Sequence, residues 1–93
     1  MVITSEMKMK AEIIKVLGHP ERIAILMLLS DGEKCVKELK EELGISQPKV
    51  SQHVGIMKEL GILNFRKEGT KVLYSIGDDR VRKFLDIFIN EDV

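Results

Sequence analysis

A chain of 93 residues, 44% hydrophobic and 32% charged, is long enough for one folded domain with a modest core and too apolar for a disordered one. No apolar run reaches membrane-spanning length, the N-terminus lacks a signal-peptide pattern, and a single cysteine excludes an internal disulfide, which together fit a reducing cytoplasm. Fifteen basic groups balance fifteen acidic ones, and with 4% aromatics and no Trp a base-stacking nucleic-acid module is disfavoured.

The balance is uneven along the chain. Residues 45–75 carry Lys49, Lys58, Arg66, Lys67 and Lys71 against Glu59 and Glu68, while acids are in excess in 31–44 and in 76–93. A neutral molecule of this kind can still present one basic face, although an ordinary solvated surface gives the same pattern.

In chain order, Thr4 or Ser5 caps a first helix running to about Leu17, with Met7, Ala11, Ile14 and Leu17 on one face. Gly18 ends it, and His19-Pro20 enters a second helix, His19 serving as the entry residue. Nearly every side chain from Ile23 to Leu29 is apolar, so that helix is expected to be buried on most sides. Asp31-Gly32 turns the chain, and Glu33 to Cys35 is either a short extended link or the start of the third helix. Val36, Leu39 and Leu43 give the third helix its apolar spacing, and Gly44 closes it.

Ser46 then caps a fourth helix whose first turn tolerates Pro48. Val50, Val54, Met57 and Leu60 form its apolar stripe, and the opposite side offers Gln47, Lys49, Ser51, Gln52, His53 and Lys58. Two short helices joined by a tight glycine turn, the second apolar on one face, describe a helix-turn-helix whose second helix enters the DNA major groove.

After Gly61 the pattern alternates. Leu63 and Phe65, then Val72, Tyr74 and Ile76, predict a hairpin around Lys67-Glu68-Gly69-Thr70. A Glu68-Gly69 loop sets Phe65 opposite Val72, Leu63 opposite Tyr74, and Arg66 opposite Lys71. Facing like charges repel unless an anion lies against both, as a DNA phosphate would. Arg66, Lys67, Thr70 and Lys71 are therefore the candidate contacts of a basic wing. The last helix starts near Asp78 or Asp79 and carries the stripe Val81, Phe84, Leu85, Phe88 and Ile89. It either closes over the domain or buries this face in a second copy. The similar stripe with Met7 and Ile14 on the first helix favours the second copy. The predicted class is mostly α with a small β-hairpin, a winged helix-turn-helix in the order α1-α2-α3-α4-β-β-α5, one domain over residues 1–93.

The stretch from Leu17 to Ile76 resembles the ArsR/SmtB family of bacterial and archaeal winged-helix repressors. The resemblance lies in His19-Pro20-Glu21-Arg22, in Gly32-Glu33 with Cys35-Val36, in Ser46-Gln47 with Ser51 and His53, in the Gly61 stop and in the Glu68-Gly69 tip. It implies a homodimer joined through the first and last helices, bound to a palindromic double-stranded operator and usually released by a ligand. The family's base- and phosphate-contacting positions fall on Ser46, Gln47, Lys49, Ser51, Gln52 and His53. His53 is expected to face outward onto DNA, with a packing role as its alternative. Gln52 stands where the family commonly has Arg, and Gly55 where it often has a long polar residue, so lower affinity or a different base preference is implied.

The family's sensing residues are incomplete. Many members bind metal or arsenical through Cys-Val-Cys at the start of the third helix, where this chain has Cys35-Val36-Lys37. The other common site uses Asp, His, His and Glu on the last helix, which here has acids but no histidine. Soft-metal coordination takes three or four thiolate or imidazole ligands. No metal, no cofactor and no catalytic residues are therefore expected, and the five methionines read as core filler and a start residue. Three functions stay open: a dimeric DNA-binding regulator without a metal site, a redox or electrophile sensor acting through Cys35, and a winged helix used for protein contacts. Lys34 and Lys37 beside a helix start favour a Cys35 thiolate, whereas a lone Cys beside Val36 is commonly an inert hydrophobe. The basic wing argues against the protein-contact reading. The effector and the operator sequence are not legible.

Overall fold

A computed structural model describes residues 1–90. The elements are α1 (Ser5–Leu17), α2 (Pro20–Leu29), α3 (Val36–Leu43), α4 (Gln47–Glu59), β1 (Leu63–Glu68), β2 (Lys71–Ile76) and α5 (Asp79–Phe84), which continues into a π-helical turn over Leu85–Ile89. This is the winged helix-turn-helix order expected from the sequence. No helix among the described residues is long and apolar enough to cross a membrane.

Local capping chemistry sets most boundaries. Thr4 Oγ1 accepts from the Met7 N–H at 3.1 Å, His19 Nδ1 from Glu21 at 3.1 Å, Ser46 Oγ from Lys49 at 3.3 Å, and Asp78 Oδ1 from Arg80 at 2.9 Å. At α3 the Glu38 carboxylate reaches back to the Cys35 N–H at 3.2 Å. Gly44 and Gly61 end α3 and α4 in the left-handed region, at φ 66° and 75°.

Helix α2 occupies the centre. Ile25, Leu26 and Leu29 are out of water and join Leu39 of α3, Val50, Val54 and Met57 of α4, Ile62, Leu63 and Ile76 of the hairpin, and Val16 and Leu17 of α1. Met27 is the side chain of this apolar run that reaches solvent.

Two expectations are corrected. Val81 and Leu85, expected at a dimer face, are each 1% exposed and belong to this chain's own core. Periodicity showed that α5 has an apolar face but not what covers it, and part of that face closes over the domain. The helix also does not continue as α: the Asn90 N–H bonds the Leu85 carbonyl at 2.8 Å, five residues back. Phe84 and Ile89 are consequently half-buried while Phe88 is 75% exposed.

The hairpin register is the second correction. Leu63 pairs with Ile76, Phe65 with Tyr74, Arg66 with Leu73, Lys67 with Val72 and Glu68 with Lys71, so the two-residue loop is Gly69-Thr70. Moving the loop by one residue shifts every partner by two, which keeps each side chain on its expected face. Arg66 and Lys71 are not opposed, and the repulsion between them does not arise. The segment before α3 is the extended link: Lys34 and Tyr74 exchange backbone hydrogen bonds of 3.2 and 2.9 Å, which fastens the link to β2.

Two glycines near the end of α4 respond oppositely to alanine. Gly61→Ala forces a side chain into positive φ and is expected to lower stability by about 1 kcal/mol. A Cβ on Gly55 meets nothing within 4 Å, so Gly55→Ala is expected to raise stability by up to about 1 kcal/mol through helix propensity. Urea unfolding of the two variants checks both signs.

Candidate nucleic-acid interface

Helices α3 and α4, with the turn Gly44-Ile45-Ser46 between them, make the helix-turn-helix. Val50, His53, Val54 and Met57 face inward from α4. Ser46, Gln47, Lys49, Ser51 and Gln52 are all exposed, and Gly55 lies on the side away from the inward four. The sequence-predicted contacts are thus brought together on one accessible surface, except one.

His53 is the exception. It is 6% exposed and does not face outward. Its Nδ1 accepts from Arg22 Nε at 3.0 Å, and its Nε2 lies 2.8 Å from Glu21 Oε1. The His19 ring lies beside it, with centroids 4.7 Å apart. Position 53 follows Val50 by three and precedes Met57 by four, which places it on the buried stripe. The imidazole is admitted there because both its nitrogens are partnered. The hydrogen bond from His53 holds the Glu21 carboxyl below the usual glutamate range, against the opposing effect of burial.

Arg22 and Glu21 are the residues that sequence reading assigned no role at this interface. Arg22 Nη1 also donates to the Val16 carbonyl at 3.2 Å, tying the end of α1 into the same cluster. The available signal was the charged pair Glu21-Arg22 one turn into a helix that is otherwise apolar.

Among the described residues, His19, Glu21 and His53 bring ligand atoms within 4.8 Å of one another. The hydrogen bonds argue against a metal there. The Arg22 donor needs a bare Nδ1, so the imidazole proton sits on Nε2 and points at Glu21. A cation on Nε2 would send the proton to Nδ1, straight at the guanidinium. The family's two sets fit no better. Cys35 is a lone half-buried thiol at the N-cap of α3, and the acids of α5 have no histidine among them.

The wing carries Lys67, Thr70 and Lys71 exposed at and beside its tip. Arg66 is also exposed, but its charge is engaged: Nε lies 2.8 Å from Glu33 Oε2, Nη2 lies 3.0 Å from Glu33 Oε1, and Nη2 also lies 2.9 Å from Glu68 Oε2. The phosphate role expected for Arg66 opposite Lys71 therefore loses its geometric basis. Arg66 instead ties the wing to the α2–α3 link. Nearer α4, the Lys58 ammonium lies over the Phe65 ring, 4.7 Å from its centroid.

Comparison with known proteins places this architecture. Residues 19–64 match the family model described as bacterial regulatory protein, arsR family. The HTH-type transcriptional regulator MJ1325 of Methanocaldococcus jannaschii is 45% identical over 78 residues, which span 83% of this chain and 88% of that protein. The chain belongs to the ArsR family. This ArsR-family protein is accordingly a DNA-binding transcriptional regulator and not an enzyme. It is 34% identical over 76 residues to the biofilm growth-associated repressor of Agrobacterium fabrum, spanning 82% of this chain and 65% of that repressor. Its fold matches the homodimeric winged helix-turn-helix DNA-binding domain of Mb0332 from Mycobacterium bovis with a TM-score of 0.83 and 26% identity, over 91% of this chain and 79% of that one.

The wing tie is testable by titration. The Arg66 guanidinium holds the Glu33 carboxyl below the ordinary glutamate range. A depressed carboxyl makes the contact complete at neutral pH and lost as pH falls through the lowered midpoint. Carboxyl NMR is expected to find the Glu33 midpoint below that of a free glutamate, and Arg66→Gln to raise it. An unmoved midpoint in the variant would show that Arg66 does not hold this group.

Proposed function

We propose that the protein is a homodimeric repressor that binds a palindromic operator, reading bases with α4 and gripping phosphates with the wing. The observation that carries this reading is the accessible α4 surface of Ser46, Gln47, Lys49, Ser51 and Gln52, set beside a wing that exposes Lys67, Thr70 and Lys71. Gln47 is suited to bidentate contact with adenine, and Ser46 can meet a phosphate while it caps the helix. Gly55 supports a close approach: it costs helix propensity, and no atom of its own chain needs the space. Repression is the role named for the Agrobacterium relative.

Dimerisation is supported by the apolar surface left at both ends of the chain. Met7 and Ile14 of α1 and Ile87 and Phe88 beyond α5 are exposed. Between α1 and α5 runs a groove of about 230 Å³ lined by Ile13, Ile14, Leu17, Val81 and Phe84, with Lys10, Asp78 and Arg80 at its polar edge. A second copy placing its own α1 and α5 there would cover these side chains and set two α4 helices about one DNA turn apart. Phe84 and Ile89 would contribute their exposed edges.

On an operator selected from random DNA, Gln47→Ala is expected to cost roughly 1–3 kcal/mol and to relax base preference. Lys67→Ala with Lys71→Ala should weaken all sequences alike and flatten the salt dependence by about one unit of slope per lost phosphate contact. A salt slope unchanged in the double variant would remove the wing from the DNA.

Phe88→Glu places a charge on the exposed end of the apolar surface without touching the core. Sedimentation is expected to find a folded monomer that no longer binds the operator specifically. A variant that stayed dimeric would place the interface elsewhere.

A further inference from the structure

Arg22 joins three helices. From α2 it reaches the Val16 carbonyl at the end of α1 at 3.2 Å and His53 Nδ1 on α4 at 3.0 Å. On α4 the other inward side chains are Val50, Val54 and Met57. Apolar burial fixes how deeply a helix sits but has little directional preference, so it tolerates rotation about the helix axis. Hydrogen bonds weaken steeply when misaligned. The two bonds at His53, one from Arg22 and one to Glu21 at 2.8 Å, therefore set the rotation of α4, and with it the direction in which Gln47, Ser51 and Gln52 point.

The chemistry of that joint is conditional. Arg22 donates only to a bare Nδ1, so the bond exists with a neutral imidazole. A proton on Nδ1 would remove the acceptor and set two cationic N–H groups 3.0 Å apart. The other charged or titratable groups facing His53 are Glu21 and His19, both from the start of α2, and Lys49 acts on the same carboxylate from the preceding turn of α4. Glu21 attracts a protonated ring, but it is already bonded to Nε2 and cannot replace the lost partner. With His53 6% exposed, water has little access to do so.

We propose that Arg22 is a positioning residue for DNA binding: through neutral His53 it locks the rotation of α4 against the end of α1, and protonation of His53 releases the lock. This rests on α4 being the recognition helix. The direction of the effect is diagnostic. A histidine that met phosphate would strengthen DNA binding as it gained a proton, whereas release of the lock weakens binding as pH falls.

The test is fluorescence anisotropy of a selected operator with the full chain between pH 8.5 and 5.5 at constant ionic strength. Wild-type affinity is expected to fall about tenfold toward acid, the scale of one lost hydrogen bond to a charged group. His53→Leu keeps the packing volume and removes both bonds; it should bind weakly and without pH dependence. His53→Gln restores an acceptor and a donor that do not titrate, and should recover most of the loss seen with Leu while staying flat with pH. Arg22→Lys keeps the charge but cannot bridge both partners, and should resemble the Leu variant. His19→Asn keeps the helix cap and should retain the wild-type slope. Affinity that rises toward acid, a slope that persists in His53→Gln, or a slope that vanishes in His19→Asn would overturn the proposal. Long-range proton–nitrogen NMR of the free protein reads the joint without DNA: an Nε2–H tautomer of His53 at pH 8 supports it, and an Nδ1–H tautomer refutes it. If wild type selected no operator, the recognition reading would fail and the lock's role in DNA binding with it, while the tautomer would still decide the Arg22–His53 bond.

Discussion

Everything else in this fold is placed by the burial of one short helix. Ile25, Leu26 and Leu29 of α2 are out of water, and α1, α3, α4 and β2 all pack on that helix. Each such side chain contributes roughly 1.5–3 kcal/mol when buried. A chain of 93 residues has no second core to fall back on. The helix that presents side chains to DNA is therefore oriented by the same few contacts that keep the protein folded. That dependence explains why polar groups are admitted to the interior only when bonded: no buried side-chain nitrogen or oxygen among the described residues lacks a partner.

What was legible in the sequence follows the range of the forces involved. Helix boundaries came out as expected because Thr4, His19, Ser46 and Asp78 act on backbone groups two or three residues away, and Gly44 and Gly61 on their own turns. The exposed residues of α4 were legible for the same reason, since Val50, Val54 and Met57 fix the opposite face locally. The hairpin register was not, because loops at Glu68-Gly69 and Gly69-Thr70 give the same alternation and both use the glycine. Nor was the division of α5, since helical spacing shows a stripe but not the surface that covers it. Val81 and Leu85 went to the interior and Phe88 to the outside. His53 is a different kind of miss. Its spacing pointed inward and its chemistry pointed outward, and the partners that reconcile the two, Glu21 and Arg22, lie about thirty residues back.

The zero net charge likewise conceals a local arrangement. Glu33 neutralises Arg66 at the base of the wing, while Lys67 and Lys71 are left at the tip, so positive potential is concentrated where the hairpin projects. The Lys34–Tyr74 backbone pair places Glu33 within reach. The acids near the wing thus act as its fastening rather than as a general counterweight.

The π-helical turn after Phe84 has a geometric consequence for how this protein meets its copies. A π turn accommodates one residue more than an α-helical turn. Deleting a single residue between Leu85 and Ile89 would allow ordinary i→i+4 bonding and swing everything beyond it by about 100° around the helix axis. Phe88 would leave the solvent-facing edge, and the surface offered at that end would carry a different set of side chains. The angular position of the chain's most exposed aromatic ring is therefore set by chain length as much as by residue type. Two relatives with the same apolar residues but one residue more or less in this segment would present incompatible faces to each other.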